Sequence, residues 1–174
     1  MNKQALLQMW DQMRQKNGIA LRVIALLPAD GLDSHPIPNM RTPKELIVHM
    51  YDGMLRTLIE GVVSGEVRYD ESSEKTLAAG IKSRDELVRF ARDRWTAADR
   101  AVASITDAEL AHEVKTPFGM NFPGWVLFGI TQDEFLHHRG QLYTYLRALG
   151  GEPPMMWDFA NNEPAFQPKA QPRV

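Results

Sequence analysis

The chain contains no cysteine among its 174 residues. This absence excludes disulfide bridges, iron–sulfur clusters, cysteine-ligated zinc and a cysteine nucleophile. The sequence also has no uninterrupted apolar run of about 18 residues, so we expect no segment that crosses a membrane. The N-terminal residues lack the apolar core of a signal peptide, and we therefore expect a cytoplasmic protein.

Neither sign of charge dominates the sequence. Lys and Arg total 20 and Asp and Glu total 22, which gives a net charge of −2. Surfaces that bind nucleic acid are strongly basic, so we expect no nucleic-acid partner. Motifs for phosphate binding, dinucleotide binding, a serine nucleophile and an H-E-x-x-H zinc site are also missing. The composition, with 44% apolar and 24% charged residues, is typical of a globular protein of about one domain.

Four long segments carry apolar residues at the three- and four-residue spacing of amphipathic helices, whereas alternating strand patterns are almost absent. Thr42 and Ser83 begin the second and third segments as parts of S/T-x-x-E capping boxes. Four amphipathic helices of this length predict an all-α protein, namely a four-helix bundle. In chain order, the segments cover residues 3–27, 42–65, 83–105 and 123–149.

The segments between and after the helices differ in length and chemistry. Residues 66–82 are long enough to cross the bundle, and residues 111–122 predict a turn or a short hairpin. Prolines prevent the C-terminal residues 155–174 from being helical throughout. We therefore predict a bundle, residues 1–154, and an ordered Pro-rich extension that packs on the bundle or on a partner subunit. The predicted anchors of this extension are Met155, Met156, Trp157 and Phe159.

The histidines are the residues that could carry chemistry. His49 lies on the inward stripe of the second helix and His138 on that of the fourth. An unpaired imidazole in a packed core is costly, so each ring needs a hydrogen-bond partner or a ligand. Glu134 lies one turn before His138 on the same face, so the three side chains can converge. Two imidazoles and a carboxylate are typical of a catalytic metal site; the alternative is that Glu134 only pairs with His138.

A di-iron carboxylate centre is a second candidate, because Glu134–His137 and Glu109–His112 are both E-x-x-H motifs. Such a centre also takes one Glu from each of the two remaining helices of a bundle. The first helix contains no Glu, and the second motif lies at a helix end. The sequence therefore argues against a di-iron centre.

The stretch from Asp133 to Gly150, D-E-F-L-H-H-R-G-Q-L-Y-T-Y-L-R-A-L-G, resembles the closing helix of DinB/YfiT-like proteins. The stretch from Arg41 to His49, R-T-P-K-E-L-I-V-H, resembles the second helix of that family, which carries its first metal-binding histidine. The resemblance covers nearly the whole chain up to about Pro154. It implies a four-helix bundle of up-down-down-up type, often dimeric, with a divalent metal held by three histidines in an open pocket.

The family's metal ligands match three positions of this sequence. His49 and His138 match two of them, and Glu134 stands where the family has its middle histidine. His137 and Gln141 are candidates for orienting the ligands or a substrate group. The implied cofactor is a divalent metal: zinc or nickel by the resemblance, and manganese or iron because a carboxylate is a harder donor than an imidazole.

The resemblance also implies a function. Characterised relatives are similar to thiol-dependent S-transferases and isomerases, and others were described as metal-dependent hydrolases. In both chemistries the metal activates a thiol or a water molecule. We therefore expect a metal-dependent transferase or hydrolase that acts on a small molecule, with a low-molecular-weight thiol as the candidate second substrate. The alternative is a stress-associated bundle without catalysis, which is metal-free or sequesters metal.

Large apolar residues are more numerous than the predicted core stripes require. Contiguous exposed apolar patches usually mark an interface, so the sequence predicts a homodimer. The residues in question are Trp10, Phe90, Trp95, Met155, Met156 and Trp157.

Overall fold

The predicted amphipathic segments form four long helices around one apolar core in the computed structural model, which describes residues 1–167. In chain order the elements are α1 (Lys3–Leu26), α2 (Pro43–Val48), a π-helical segment (His49–Arg56), α3 (Thr57–Ser64), α4 (Glu71–Gly80), α5 (Arg84–Ser104), α6 (Asp107–Ala111), β1 (Glu113–Val114), β2 (Phe122–Pro123) and α7 (Gly124–Ala148). Short 3-10 turns lie at Ala29–Gly31 and Pro164–Phe166. The elements α2, π-helical segment and α3 follow one another without a break, and we call them together the second long helix.

Contacts at one end of the bundle establish the direction of each helix. The backbone N–H of Lys3, at the start of α1, donates to Asp107, which lies just after the end of α5. Glu66, just after α3, bridges Lys115, which directly follows β1. The strand β1 pairs with β2, from which α7 begins. Therefore α1 and α7 start at this end while the second long helix and α5 finish there, which is the up-down-down-up arrangement that the resemblance implies.

Both α1 and the second long helix pack against α5 and α7. The second long helix therefore lies diagonally opposite α1 across the core, and α7 lies diagonally opposite α5. The hydroxyl of Tyr51 donates across the core to Oδ1 of Asn17 at 2.7 Å, and both side chains are fully buried. A buried tyrosine hydroxyl needs such a partner. None of the helices in residues 1–167 is both long and apolar enough to cross a membrane.

Trp10 and Trp95 lie in the core and not on the surface, which corrects the expectation that they help to form an interface. Their rings stack with centroids 4.7 Å apart and an interplanar angle of 3°. The indole N–H of Trp10 donates to Asp99 at 2.9 Å, so its polar edge is satisfied inside the monomer. Phe90 is partly buried against the same core. The close packing of α1 against α5 therefore buries Trp10 and Trp95 inside the monomer.

The region that we predicted as a plain connection, residues 66–82, contains the helix α4. The side chain of Asp70 caps it by accepting a hydrogen bond from the N–H of Ser72. The helix lies across α2 and the π-helical segment. An Asp at the N-cap position, followed by Glu-Ser-Ser-Glu, is a helix-start signal that the sequence analysis did not use.

The π-helical segment is the second unpredicted element. The hydroxyl of Thr57 donates to the carbonyl oxygen of Asp52, five residues earlier, at 3.0 Å. The buried Asp52 carboxylate pairs with Arg56 at 2.9 Å and with Arg94 of α5 at 2.7 Å, which ties the segment to its neighbour. Segments of π-helix are rare and occur frequently at functional sites. This segment begins at His49.

The C-terminal extension is held by residues other than most of those predicted. Among the predicted anchors, Phe159 is half-buried, but Met155, Met156 and Trp157 are 68%, 46% and 58% exposed. Instead, Asp158 pairs with Arg22 of α1 at 2.5 Å, and the buried Phe166 belongs to a 3-10 turn that packs on α1. Residues 168–174 of the predicted extension lie outside the described residues.

Candidate metal site

The fold brings His49, Glu134 and His138 together. One ligand atom of each side chain lies within 4.8 Å of the other two. His49 comes from the start of the π-helical segment, and the other two lie one turn apart on α7. The two imidazole rings are nearly perpendicular, at 79°, with centroids 4.9 Å apart. The three residues that the sequence analysis grouped therefore face one point, and metal binding there remains a prediction.

A carboxylate from α4 holds the ring of His49. Nδ1 of His49 lies 3.1 Å from Oε1 and 3.0 Å from Oε2 of Glu74, and both side chains are buried. An imidazole that donates Nδ1–H to a carboxylate keeps its lone pair on Nε2. Metal-ligating histidines commonly use this arrangement. Glu74 was not among the predicted site residues, because its segment was predicted as a connection and not as the helix α4.

Gly53 provides the room for this contact. A Cβ atom at position 53 would lie 1.6 Å from Oε1 of Glu74 and 3.0 Å from Nδ1 of His49. Any larger residue would therefore push the carboxylate away from the ring. His49 and Gly53 both belong to the π-helical segment, so the segment and α4 position the histidine together.

A chain of two hydrogen bonds holds the ring of His138. Its Nδ1 lies 2.8 Å from Oε1 of Gln141, and Nε2 of Gln141 lies 3.1 Å from Nε2 of His137. The amide therefore donates to His137, while its oxygen accepts from Nδ1–H of His138. This network leaves the lone pair of His138 on Nε2, as in His49. His137 and Gln141, the two residues predicted to orient the ligands, both take part in it.

The remaining nitrogen of His138 is buried next to a carboxylate. Nε2 makes no hydrogen bond within residues 1–167 and lies 3.2 Å from a carboxylate oxygen of Glu134. Burial lowers the pKa of His138, and the adjacent His49 ring acts in the same direction. A neutral imidazole with an unused, buried lone pair is the form that binds a divalent metal. The residues present therefore fit a metal ion.

The two sides of the site differ in their access to solvent. The His49–Glu74 side is buried, whereas the side chain of Glu134 is 38% exposed. Next to Glu74 lies a cavity of about 120 Å³, which Arg41 and Lys75 also line. The candidate site is therefore closed beneath the histidines and opens near Glu134.

The second E-x-x-H motif does not reach this site. Glu109 belongs to the capping box of α6, where its carboxylate accepts from Thr106, and His112 ends the same short helix. Among the described residues, the group of His49, Glu134 and His138 is the only cluster with the spacing of metal ligands. Glu109 and His112 therefore do not contribute to the cluster around His138.

Two solved structures share this fold. A DinB-like protein of Bacillus subtilis, YjoA, superposes with a TM-score of 0.66 and 17% sequence identity, over 82% of this chain and 92% of that chain. A mycothiol-dependent maleylpyruvate isomerase superposes with a TM-score of 0.65 and 17% identity, over 82% of this chain and 61% of the isomerase. At this level of identity the similarity shows the fold alone. No curated protein sequence matches the chain.

The family is established by the sequence as a whole. A family model described as "DinB family" matches residues 1–173, which is nearly the entire chain. The match agrees with the observed up-down-down-up bundle and with the motif around His138. The chain therefore belongs to the DinB family.

Proposed function

We propose that the chain is a metal-dependent enzyme that binds one divalent ion through His49, Glu134 and His138 and acts on a small molecule. The observation that carries the proposal is the buried Nε2 of His138, which makes no hydrogen bond within residues 1–167 and lies beside a carboxylate and a second imidazole. Both rings are already held through Nδ1, so both Nε2 atoms are free to serve as ligands.

The chain's own residues have separate tasks in this proposal. Glu74 and Gln141 fix the orientation and the tautomer of the two rings, and the buried His49–Glu74 pair keeps water from one side. The partly exposed Glu134 marks the side on which a substrate enters. A divalent ion with an open coordination position lowers the pKa of a bound thiol or water molecule and so supplies a nucleophile at neutral pH.

The donor set indicates which divalent ions the site would accept. A set of two histidines and one glutamate binds zinc in some hydrolases. The single carboxylate also makes manganese or iron acceptable, because it is a harder donor than imidazole. Zinc and nickel are the first candidates for this site, and manganese and iron the second.

We propose a low-molecular-weight thiol as the second substrate. The fold neighbour whose name states a mycothiol-dependent isomerase supports this choice. In a transfer reaction the thiolate sulfur forms a bond to an electrophilic carbon, a leaving group departs from that carbon, and the thiol proton goes to the buffer. The hydrolase variant of the proposal uses water in place of the thiol.

A thiol-consumption assay tests the proposal. The protein is loaded with zinc, nickel or manganese and incubated with mycothiol or glutathione and chlorodinitrobenzene, which releases chloride on conjugation. We expect turnover that a chelator abolishes and that falls by roughly tenfold or more in His138→Ala. The variant His35→Ala is the control, because His35 lies outside the candidate site and its ring is hydrogen-bonded to the loop carbonyl of Met40.

The same assay separates the proposal from the second candidate, a bundle that sequesters metal without catalysis. Full metal occupancy without turnover of thiol or ester substrates would favour sequestration. Turnover that survives the chelator and the His138→Ala change would contradict the proposal in both forms.

A further inference from the structure

A second cavity lies on the far side of α7 from the candidate metal site. Its volume is about 470 Å³, and it lies between α7 and the start of the C-terminal extension. Gly140, which lines it, is two residues beyond His138 and therefore about 200° away around the helix axis. The volume falls within the range of roughly 300–1,000 Å³ that is typical of small-molecule sites. This cavity is thus a separate place at which a ligand can bind.

The cavity contains a buried cation without a counter-charge. Arg139 lines it and is only 7% exposed, and its Nη1 is buried with no hydrogen-bond partner in residues 1–167. Within the same residues no carboxylate lies within ion-pair distance of Arg139. Buried charges in proteins are normally paired, so a guanidinium left in this state requires an explanation.

The surroundings of Arg139 add donors and positive charge. Tyr143 also lines the cavity, and its buried hydroxyl has no hydrogen-bond partner among residues 1–167. Arg147 lines the cavity and lies over the Tyr143 ring, and Lys16 lies close enough to Arg139 that the two cations oppose each other. No acidic residue belongs to the lining. Hydrogen-bond donors and positive charge without an acidic residue favour the binding of an anion in this cavity.

The remaining walls are apolar. Leu136, Pro153 and Pro154 contribute to them, together with Met155 and Met156, whose side chains are exposed to solvent. Gly140 also lines the cavity, and a Cβ atom there would meet nothing within 4 Å, so a larger side chain at this position can extend into the cavity.

We propose that this cavity binds a small organic carboxylate with an aliphatic or aromatic body. Arg139 and the hydroxyl of Tyr143 receive the carboxylate, because both are donors without a partner. The apolar walls receive the body of the ligand. The site is independent of the metal and of the proposed reaction.

Calorimetric titration of the full chain with octanoate tests this site, with octanol as the matched neutral probe. We expect saturable binding of octanoate and at least about tenfold weaker binding of octanol, the loss expected when a charged acceptor is removed. Gly140→Leu fills the cavity and abolishes binding. Gly129→Leu is the control, because it lies on the same helix and its Cβ also meets no neighbour. In His138→Ala, octanoate binding persists, which separates this site from the metal site.

A charge variant keeps the proposal testable if Gly140→Leu fails to fold. Arg139→Met removes the buried charge, so octanoate should lose its advantage over octanol while the unliganded protein melts at the same or a higher temperature. The proposal is overturned if wild type shows no saturable binding up to millimolar octanoate, or if octanoate and octanol bind equally. It is also overturned if Gly140→Leu turns a dimer into a monomer without affecting octanoate, because a second copy then covers the cavity.

Discussion

Single residues outside the proposed ligand set hold the two histidines of the candidate metal site in place. Glu74 and Gln141 each accept a hydrogen bond from Nδ1 of one histidine. Each bond fixes which ring nitrogen carries the proton and which carries the lone pair. The affinity for metal should therefore depend on these residues as well as on the ligands.

Replacing Glu74 tests this dependence. Glu74→Ala removes the acceptor of His49, and we expect the affinity for zinc to fall by about 10–100-fold. Competition with a chromogenic chelator measures the change. Glu71→Ala is the control, because Glu71 lies on the same helix but forms an exposed ion pair with Lys75. Equal zinc affinities of the two variants would show that Glu74 does not support the site.

Gly53 offers a steric test of the same contact. In Gly53→Ala the new Cβ collides with the Glu74 carboxylate, so we expect a loss of zinc affinity similar to that of Glu74→Ala. On helix propensity alone, Gly→Ala stabilises a helix by about 1 kcal/mol. Gly129→Ala, where the Cβ is unopposed, should show that gain in urea denaturation. A Gly53→Ala variant that gains stability and keeps its zinc affinity contradicts the observed packing.

The sequence predicted the three side chains that the fold brings together, but not Glu74, which holds the ring of His49. His49 and His138 could be identified because they occupy apolar stripes and match the family motif, and Glu134 because it lies one turn from His138. Glu74 is 25 residues from His49, and the contact exists only because α4 folds back across the second long helix. Periodicity within one segment carries no information on such a contact.

Among the helices, those with signals in their own sequence were predicted, and those that depend on contacts with other segments were not. The long helices combine an apolar stripe with start signals such as the capping box of Thr42, and their bounds agree closely with the expectation. The π-helical segment has no such signal. Its geometry is accompanied by the pairing of Asp52 with Arg94 of α5, which is a tertiary interaction. The short helix α4 had a cap, but its charged sequence resembled a loop.

The N-cap of α4 should affect how stably this helix is folded. Asp70→Ala removes the hydrogen bond to the N–H of Ser72, and the loss of an N-cap costs about 1 kcal/mol. A ten-residue helix is marginal without its cap and its packing, so α4 should open more often. We expect faster amide exchange in α4 and, through Glu74, weaker zinc binding. Asp70→Asn keeps the cap and should restore both; an Asp70→Ala variant with unchanged exchange contradicts this role.

At the scale of the molecule, residues 1–167 present an apolar surface that is exposed to solvent. Trp10 and Trp95 are buried, so the predicted homodimer now depends on the exposed Met155, Met156 and Trp157. We expect sedimentation at micromolar concentration to give about twice the mass of one chain, as for an exposed apolar patch that forms an interface. Trp157→Ser should shift the mass toward that of the monomer.

A matched variant distinguishes a specific interface from nonspecific association through exposed apolar side chains. Met120→Ser changes a side chain that is also exposed but lies in the hairpin region after β1. It should leave the mass unchanged. A single-chain mass for wild type, or equal effects of the two substitutions, would contradict a dimer formed through the extension.

The topology explains why distant parts of the chain form one site. The second long helix and α7 run in opposite directions side by side, which brings the π-helical segment opposite the middle of α7. The family resemblance implied this arrangement, whereas composition and periodicity gave only the number of helices. The far side of α7, where Arg139 and Gly140 lie, was not predicted because it depends on how the extension folds back.

Metal content in wild type and two Glu134 variants is the most direct test of the metal site. The proteins are purified without chelator, dialysed and analysed by inductively coupled plasma mass spectrometry. We predict about one divalent ion per chain in wild type, and its loss from Glu134→Ala, which keeps only two imidazole ligands. Glu134→His should retain metal and shift its preference toward zinc, nickel or copper. Near-zero metal in all three proteins would contradict the metal site, and unaltered metal in Glu134→Ala would show that Glu134 only pairs with His138.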